Sequence, residues 1–264
     1  MIVDVEDPTD PRLDDFRDLQ DADVRPDKRG IVIAEGVNVV ERMCRSPYRV
    51  RAVFGVPARL EALAEVLPAD VPAYRAEKWL LSQVVGFRVT RGVLAAAARA
   101  PEPDVLSLLA NARRIAVIEA LNDFENLGAL FRNAAAFGLD AVLLDARTAD
   151  PLYRRSVRVS MGHVLGVPFV RLPGAWPDSL QLIKDAGFPI LAMTPRGETD
   201  VVSTRSVVAA QPTFKWAVLL GAEGPGLTDA ALAAADLRVS IPMASGVDSL
   251  NVATAAAVAF SHLP

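Results

Sequence analysis

Trp216-Ala-Val-Leu-Leu-Gly-Ala-Glu-Gly-Pro-Gly-Leu227 is an apolar run of strand length that breaks into a glycine-rich turn. A short apolar run bounded by such a turn fits a strand buried on both faces. Outward from it the same alternation continues. Downstream lie a helical stretch at 229–235, a strand at 237–241 and a small-residue helix at 251–262. Upstream, strands are expected at 114–119, 141–144, 169–172 and 189–193, with helices at 127–137 and 179–186. Gly138 follows the 127–137 helix as a C-terminal cap. Apolar strands alternating with helices predict an α/β fold on a mostly parallel sheet. In such sheets ligands gather at the carboxyl ends of strands, which makes the turn after Leu220 a candidate binding loop.

A second, smaller α/β unit precedes this one. A strand at 30–34, a helix at 37–44, strands at 49–54 and 71–74 and a helix at 60–67 are expected, closed by the run 89–97. The stretch Ala100-Pro-Glu-Pro-Asp104 has the composition of a linker. The expected division is therefore an acidic N-terminal segment at 1–24, a smaller domain at 25–105 and a larger one at 106–264. Many aspartates together with Pro8 and Pro11 make the first segment a mobile tail or a loosely docked helix.

Composition narrows the function classes. With 264 residues, 52% of them hydrophobic, the chain can bury two sizeable cores. Cys44 is the single cysteine, so no internal disulfide forms, and a buried small hydrophobe is expected there rather than a reactive thiol. The acidic first residues lack a secretory pattern, and the longest apolar runs fall far short of a membrane span, so a cytoplasmic protein with no membrane association is expected. The net charge of −4 argues against a polyanionic partner only until its distribution is considered. Residues 1–24 carry −7, and the remaining residues carry +3. The body of the chain is mildly basic.

Three separated segments carry candidate chemistry. The first, Asn122-Asp-Phe-Glu-Asn-Leu-Gly-Ala-Leu-Phe-Arg-Asn133, puts Asn126 near a helix start and Arg132 nearly two turns on. Alone, Asn126 reads as a helix cap and Arg132 as a solvated or paired residue. The second is the glycine turn, where Gly221, Gly224 and Gly226 allow a ligand to approach the backbone. It lacks the lysine of a phosphate loop and the spacing of a dinucleotide fingerprint, which disfavours a nucleotide-dependent oxidoreductase. The third, Ile241-Pro-Met-Ala-Ser-Gly-Val-Asp-Ser-Leu-Asn-Val-Ala-Thr-Ala255, offers Ser249 or Asn251 as the cap of the last helix. His163 and His262 are the two histidines, neither with a second ligand at metal-binding spacing, so no metal is expected. Arg147, Arg154, Arg155 and Arg158 form a cluster open to two readings, a solvated face or an RNA-backbone contact.

Taken together, in this order and near these spacings, the three segments resemble the signature motifs of the SpoU (TrmH-like) branch of the SPOUT RNA methyltransferases. The resemblance covers about residues 112–264, and Val157-Arg-Val-Ser-Met-Gly-His-Val-Leu-Gly-Val-Pro168 is similar to a further segment of that family. More loosely, residues 25–100, with Ala34-Glu-Gly36, resemble the RNA substrate-binding domain that often precedes the catalytic one. The resemblance implies a SPOUT α/β-knot with a deep trefoil knot, which composition and periodicity do not suggest. It implies S-adenosylmethionine as cofactor, held by backbone around Leu220, Gly221, Glu223, Gly226, Ile241 and Leu250. Asn126, Arg132, Glu223, Ser249 and Asn251 would form the catalytic set, in a homodimer sharing its sites. The implied reaction is ribose 2′-O methylation, of ribosomal RNA in the first instance. Transfer RNA is the alternative substrate, and a non-catalytic RNA-binding protein keeping the fold is the alternative class. The family mechanism casts the arginine as the activator of the hydroxyl, yet a guanidinium keeps its proton near neutral pH. Arg132 is accordingly expected to be essential, more as an electrostatic clamp on an incipient alkoxide than as a base.

Overall fold

The computed structural model describes residues 1–19, 30–209 and 214–264. The chain forms two compact units, one of Met1–Pro101 with Pro151–Gly166, the other of Glu102–Asp150 with Val167–Pro264. In chain order the first unit contributes β1 (Ile2–Asp4), β2 (Ile31–Glu35), α1 (Val37–Cys44), β3 (Val50–Gly55), α2 (Pro57–Glu61), β4 (Ala73–Arg75), α3 (Lys78–Val85) and β5 (Val93–Ala98). The second opens with α4 (Val105–Asn111), β6 (Arg114–Ile118), α5 (Phe124–Ala136) and β7 (Ala141–Leu144). The chain returns to the first unit for α6 (Arg154–Val159). It ends in the second with β8 (Phe169–Arg171), α7 (Gln181–Asp185), β9 (Ile190–Met193), β10 (Thr199–Asp200), α8 (Val201–Ala209), β11 (Trp216–Leu220), α9 (Asp229–Ala234), β12 (Leu237–Ser240) and α10 (Val252–His262).

The first unit is a five-stranded sheet in the order β1-β4-β3-β5-β2, with β5 antiparallel to both its neighbours. The small side chains of β5, Ala95 to Ala97, are fully buried and leave room for α1 to lie close to the sheet. On the core side, Ile31, Ile33, Phe54 and Leu94 meet Leu80, Leu81 and Val84 of α3.

The acidic segment is no mobile tail over residues 1–19. β1 adds a parallel strand beside β4, pairing Ile2 with Ala73 and Asp4 with Arg75. A 3₁₀ helix, Pro11–Phe16, then turns Leu13 and Phe16 into the core, and Leu19 in the turn beyond it joins them, each 1% exposed or less. Their spacing of three residues matches the three-residue 3₁₀ turn, a period that the aspartates between them disguise. Each such side chain contributes about 2 kcal/mol of transfer free energy, whereas an exposed ion pair contributes about 0–1. The apolar anchors therefore hold the segment, and pairs such as Asp14 with Arg17 and Asp15 with Arg51 mainly disperse its charge. The expected boundary between residues 24 and 25 lies outside the described residues.

One of these acids gives the segment a pH signature. Hydrogen bonds from the Arg12 side chain, and then from its backbone N–H, hold the Asp10 carboxyl down at about 2. A carboxyl depressed on folding stabilises above its unfolded value of about 4, and that contribution disappears as pH falls toward the folded value. Wild type and Asp10→Asn should thus differ in urea midpoint near neutrality and converge toward pH 2. Divergence in acid would contradict the pairing.

The second unit is a seven-stranded sheet in the order β10-β12-β9-β11-β6-β7-β8, every neighbouring pair parallel. Alternate residues serve two cores. Ile115, Val117, Leu143, Ile190, Ala217 and Leu219 pack with Leu109 of α4, Ile183 of α7 and Ala231 of α9. Helices α5 and α10 pack together beside the opposite alternation, where Phe260 stacks on Trp216 at 6.4 Å. The Ala-rich stripe of α10, Ala253, Ala256 and Ala259, is buried, and Asn133 of α5 donates to the Ala253 carbonyl at 2.7 Å. That stripe therefore covers this chain's own α5 and β11. Among the described residues no helix is long and apolar enough to cross a membrane.

Candidate functional site

Strands β9, β11 and β6 are consecutive, β12 flanks β9, and all four open their carboxyl ends on one edge of the sheet. Ile118 and Leu220 stand opposite each other, and the Glu119 N–H extends their ladder to the Leu220 carbonyl at 2.9 Å. The first and second candidate segments thus leave the sheet side by side. The third leaves from β12, then runs through 241–251 to start α10 against α5.

There the three segments meet. Asn126 Nδ2 donates to Glu223 Oε2 at 2.7 Å, and Asn251 Nδ2 donates to Asn126 Oδ1 at 2.7 Å. Asn251 Oδ1 caps α10 by accepting the N–H groups of Ala253 and Thr254 at 3.0 and 3.2 Å. The cap dictates the rest. With its oxygen committed to backbone donors, Asn251 can offer Asn126 only its NH₂, so Asn126 must present oxygen to Asn251 and NH₂ to the carboxylate. Asn126 is not the cap of α5. The helix begins three residues earlier than expected, and Asp123 caps it by accepting the Asn126 N–H at 2.7 Å.

The two roles of Asn251 are separable. Asn251→Asp keeps a good capping oxygen but loses the donor to Asn126, so its melting temperature should match wild type while any activity that depends on the trio falls. Asn251→Ala should lose both, with about 1 kcal/mol of stability. Equal activity of Asn251→Asp and wild type would reduce Asn251 to a cap.

Arg132 lies on α5 outside this trio, exposed, with no hydrogen bond or ion pair among the described residues. Ser249 and Leu250 are exposed on the approach to Asn251, and Ile241 is half-buried at the start of that loop. Gly221 is buried, and a Cβ there would stand 2.3 Å from the Gly226 carbonyl carbon and 2.4 Å from the Leu227 nitrogen. Gly224 and Gly226 turn the loop with φ of +89° and +72°.

Several residues at this edge escaped the sequence reading. Gly197, in the turn after β9, has no room for a Cβ either, with the Ser240 nitrogen and Val239 carbonyl carbon both 2.5 Å away. Glu119, 1% exposed, accepts Trp176 Nε1 at 2.6 Å, Thr228 Oγ1 at 2.8 Å and the Thr228 N–H at 3.0 Å. It thereby fastens the far end of the glycine turn to β6. Asp145, as deeply buried, accepts the N–H groups of Ala120 and Thr148 at 3.0 and 2.7 Å. The available signal was an acid directly after each of two apolar strands.

The arginine cluster divides. Arg147 bridges Glu119 and Asp145 at 3.5 and 3.4 Å, whereas Arg154 pairs with Glu35 at 3.2 Å within the first unit. Neither is a free phosphate ligand; Arg158 is exposed and unpaired among the described residues. Burial pushes the half-buried Cys44 thiol up, away from the nucleophilic thiolate. His262 Nδ1 lies 2.9 Å from the Val258 carbonyl, a contact within its own helix. Among the described residues, no group of three or more His, Cys, Asp or Glu could hold a metal ion.

Residues 113–261 match the SpoU rRNA Methylase family. An uncharacterized tRNA/rRNA methyltransferase of Mycobacterium tuberculosis is 53% identical over 263 residues, covering 98% of this chain and 90% of the relative. The 23S rRNA (guanosine(2553)-2′-O)-methyltransferase RlmP of Bacillus subtilis is 29% identical, covering 89% of each chain. Among solved structures, the AdoMet-bound rRNA methyltransferase of Sinorhizobium meliloti superposes with a TM-score of 0.81 at 20% identity, over 99% of this chain and 97% of that one. The SpoU methyltransferase AviRb of Streptomyces viridochromogenes, in complex with AdoMet, gives 0.77 at 22% identity, over 96% of each.

Proposed function

The chain belongs to the SpoU rRNA methylase family, and from that premise we propose that it transfers the methyl group of S-adenosylmethionine to a ribose 2′-hydroxyl of ribosomal RNA. The observation that carries this reading is the joining of Glu223 and Asn251, through hydrogen bonds, to Asn126 on the helix that also presents the unpaired Arg132. The 2′-O chemistry is that of the B. subtilis relative.

The edge of the sheet fits the proposed cofactor. At both turns the backbone packs on itself too closely for a Cβ, Gly197 against Val239 and Ser240 and Gly221 against Gly226 and Leu227, which holds the tight turns that the proposed cofactor site would use. Between 241 and 250, among the described residues, one internal backbone hydrogen bond forms, from Val247 to Ala244 at 3.2 Å. The remaining N–H and C=O groups of that exposed loop are available to read a ligand. Leu220, Gly221, Glu223, Gly226, Ile241 and Leu250 would line the site, in a knotted fold and a homodimer.

When bound, S-adenosylmethionine supplies a methyl carbon already activated by its sulfonium. What is left to the protein is chiefly orientation, worth several kcal/mol in a well-aligned displacement. Glu223, held by Asn126, fixes the glycine turn. Arg132 binds the RNA and stabilises the negative charge that develops on the ribose oxygen as its proton passes to solvent water, and Ser249 shapes the approach.

The test is transfer of labelled methyl from S-adenosylmethionine to total RNA of a strain lacking the gene, with ribosomal and transfer RNA then separated and each subjected to alkaline hydrolysis. A ribose 2′-O-methyl group blocks cleavage at its own phosphodiester, so the label should emerge in alkali-resistant dinucleotides. Label in mononucleotides would mean base methylation, label confined to transfer RNA would move the substrate, and RNA binding without transfer would leave a non-catalytic binder.

A further inference from the structure

Within the first unit, a cleft of about 240 Å³ opens where β2 runs into α1. Arg59, Arg91 and Arg158 line it together with Thr90, Asn38 and Gly36. All three arginines are exposed and, among the described residues, make no hydrogen bond or ion pair. Like charges gathered on one small cleft repel unless an anion joins them.

The backbone is shaped to bring them there. A Cβ on Gly36, at φ +94°, would stand 3.4–3.5 Å from the Cβ, Cγ and Cδ of Arg91. One on Gly92, at φ +76°, would stand 3.2 Å from the Arg59 Cγ. Two arginine stems thus lie across two left-handed glycines, which limits the freedom lost when their forks engage a ligand. Gly36 also begins α1 without a capping side chain, leaving the positive end of an eight-residue helix on the same wall. Glu35, the acid among the lining residues, is 4% exposed and turned to Arg154, whose guanidinium also stacks over Phe87 at 4.2 Å. The wall's one negative charge is therefore compensated internally, and the three free guanidiniums dominate. The space is smaller than the roughly 300–1,000 Å³ of most small-molecule sites and suits a phosphate group with little else.

We propose that this cleft binds a backbone phosphate of the RNA substrate outside the catalytic unit. The proposal rests on the reading of the protein as an RNA methyltransferase. Arginine forks reach phosphate bidentately and specify position rather than sequence.

The experiment is filter binding of a labelled 23S rRNA transcript to the full-length protein across a salt series. Arg59, Arg91 and Arg158 are changed together to glutamine, which keeps the packed stems. Arg45, Arg51 and Arg75, surface arginines outside the cleft, are changed likewise as a charge-matched control. The cleft variant should lower the slope of log K against log salt by about 1 and weaken binding on the order of tenfold near 0.1 M salt. S-adenosylmethionine affinity and kcat at saturating RNA should hold. An unchanged slope, or an equal change in the control, overturns the proposal. Inorganic phosphate that protects wild type thermally without any cleft effect on RNA binding would assign the cleft to a free anion, and also overturns it. Because binding is read without methyl transfer, cleft-dependent binding by a protein that methylates nothing would sink the activity alone.

Discussion

Arg132→Ala should lower kcat for methyl transfer by about 10²- to 10³-fold while S-adenosylmethionine still binds. The side chain is exposed and unpaired, so its loss leaves no buried partner unsatisfied. Stability should change by no more than about 0.5 kcal/mol, and the deficit belongs to chemistry and RNA engagement. Arg132→Lys keeps a charge but not the planar fork, and should recover little of the loss. Single-turnover transfer with calorimetry of cofactor binding reads both halves. A loss under tenfold would take Arg132 out of the reacting centre, and lost cofactor binding would make it a pocket residue instead.

Gly221→Ala should abolish cofactor binding. The added methyl would meet backbone atoms at 2.3, 2.4 and 2.6 Å, none of them a flexible side-chain end that could swing aside. Ordinary overpacking costs about 1–3 kcal/mol, and a clash with fixed backbone belongs at or above the top of that range. For a chain of this size that corresponds to a fall in melting temperature of roughly 6–12 °C. Gly224→Ala is the matched control, with φ +89° and no atom within 4 Å of its Cβ, so it carries conformational strain alone. If the two variants melt and bind alike, steric closure at Gly221 is not what shapes the pocket.

Much of the second unit could be read from its strands, because apolar runs such as Arg114–Ile118 and Trp216–Leu220 are buried on both faces and announce themselves. The motifs were legible for a related reason. A glycine with no room for Cβ and an asparagine that must donate and accept at once tolerate few replacements. Asn126 taken alone reads as a cap because asparagine is a good one, but Asp123 three residues earlier holds that position. Composition hid Leu13, Phe16 and Leu19, because Asp14, Asp15, Arg17 and Asp18 between them give the stretch the look of a solvated tail. Glu119 and Asp145 show in the sequence only as acids after apolar strands, because their partners, Trp176 with Thr228 and Ala120 with Thr148, depend on the folded sheet.

The excursion of Pro151–Gly166 into the first unit bears on how such proteins can be recombined. A module strung ahead of another on a single linker can be exchanged between genes by one crossover. Here the chain passes between units three times, after Pro101, Asp150 and Gly166. A cut at Pro101 would leave behind α6 and the residues after it, taking β2 from α6, where Val157 is fully buried, and α1 from the turn at His163–Leu165, where Val164 is 1% exposed. A chimera that takes its first unit from a relative must therefore import two stretches of sequence together, the N-terminal one and the graft between β7 and β8. Inheritance in this architecture should accordingly follow the pair, so that changes along β2 are matched by changes along α6, which packs on it.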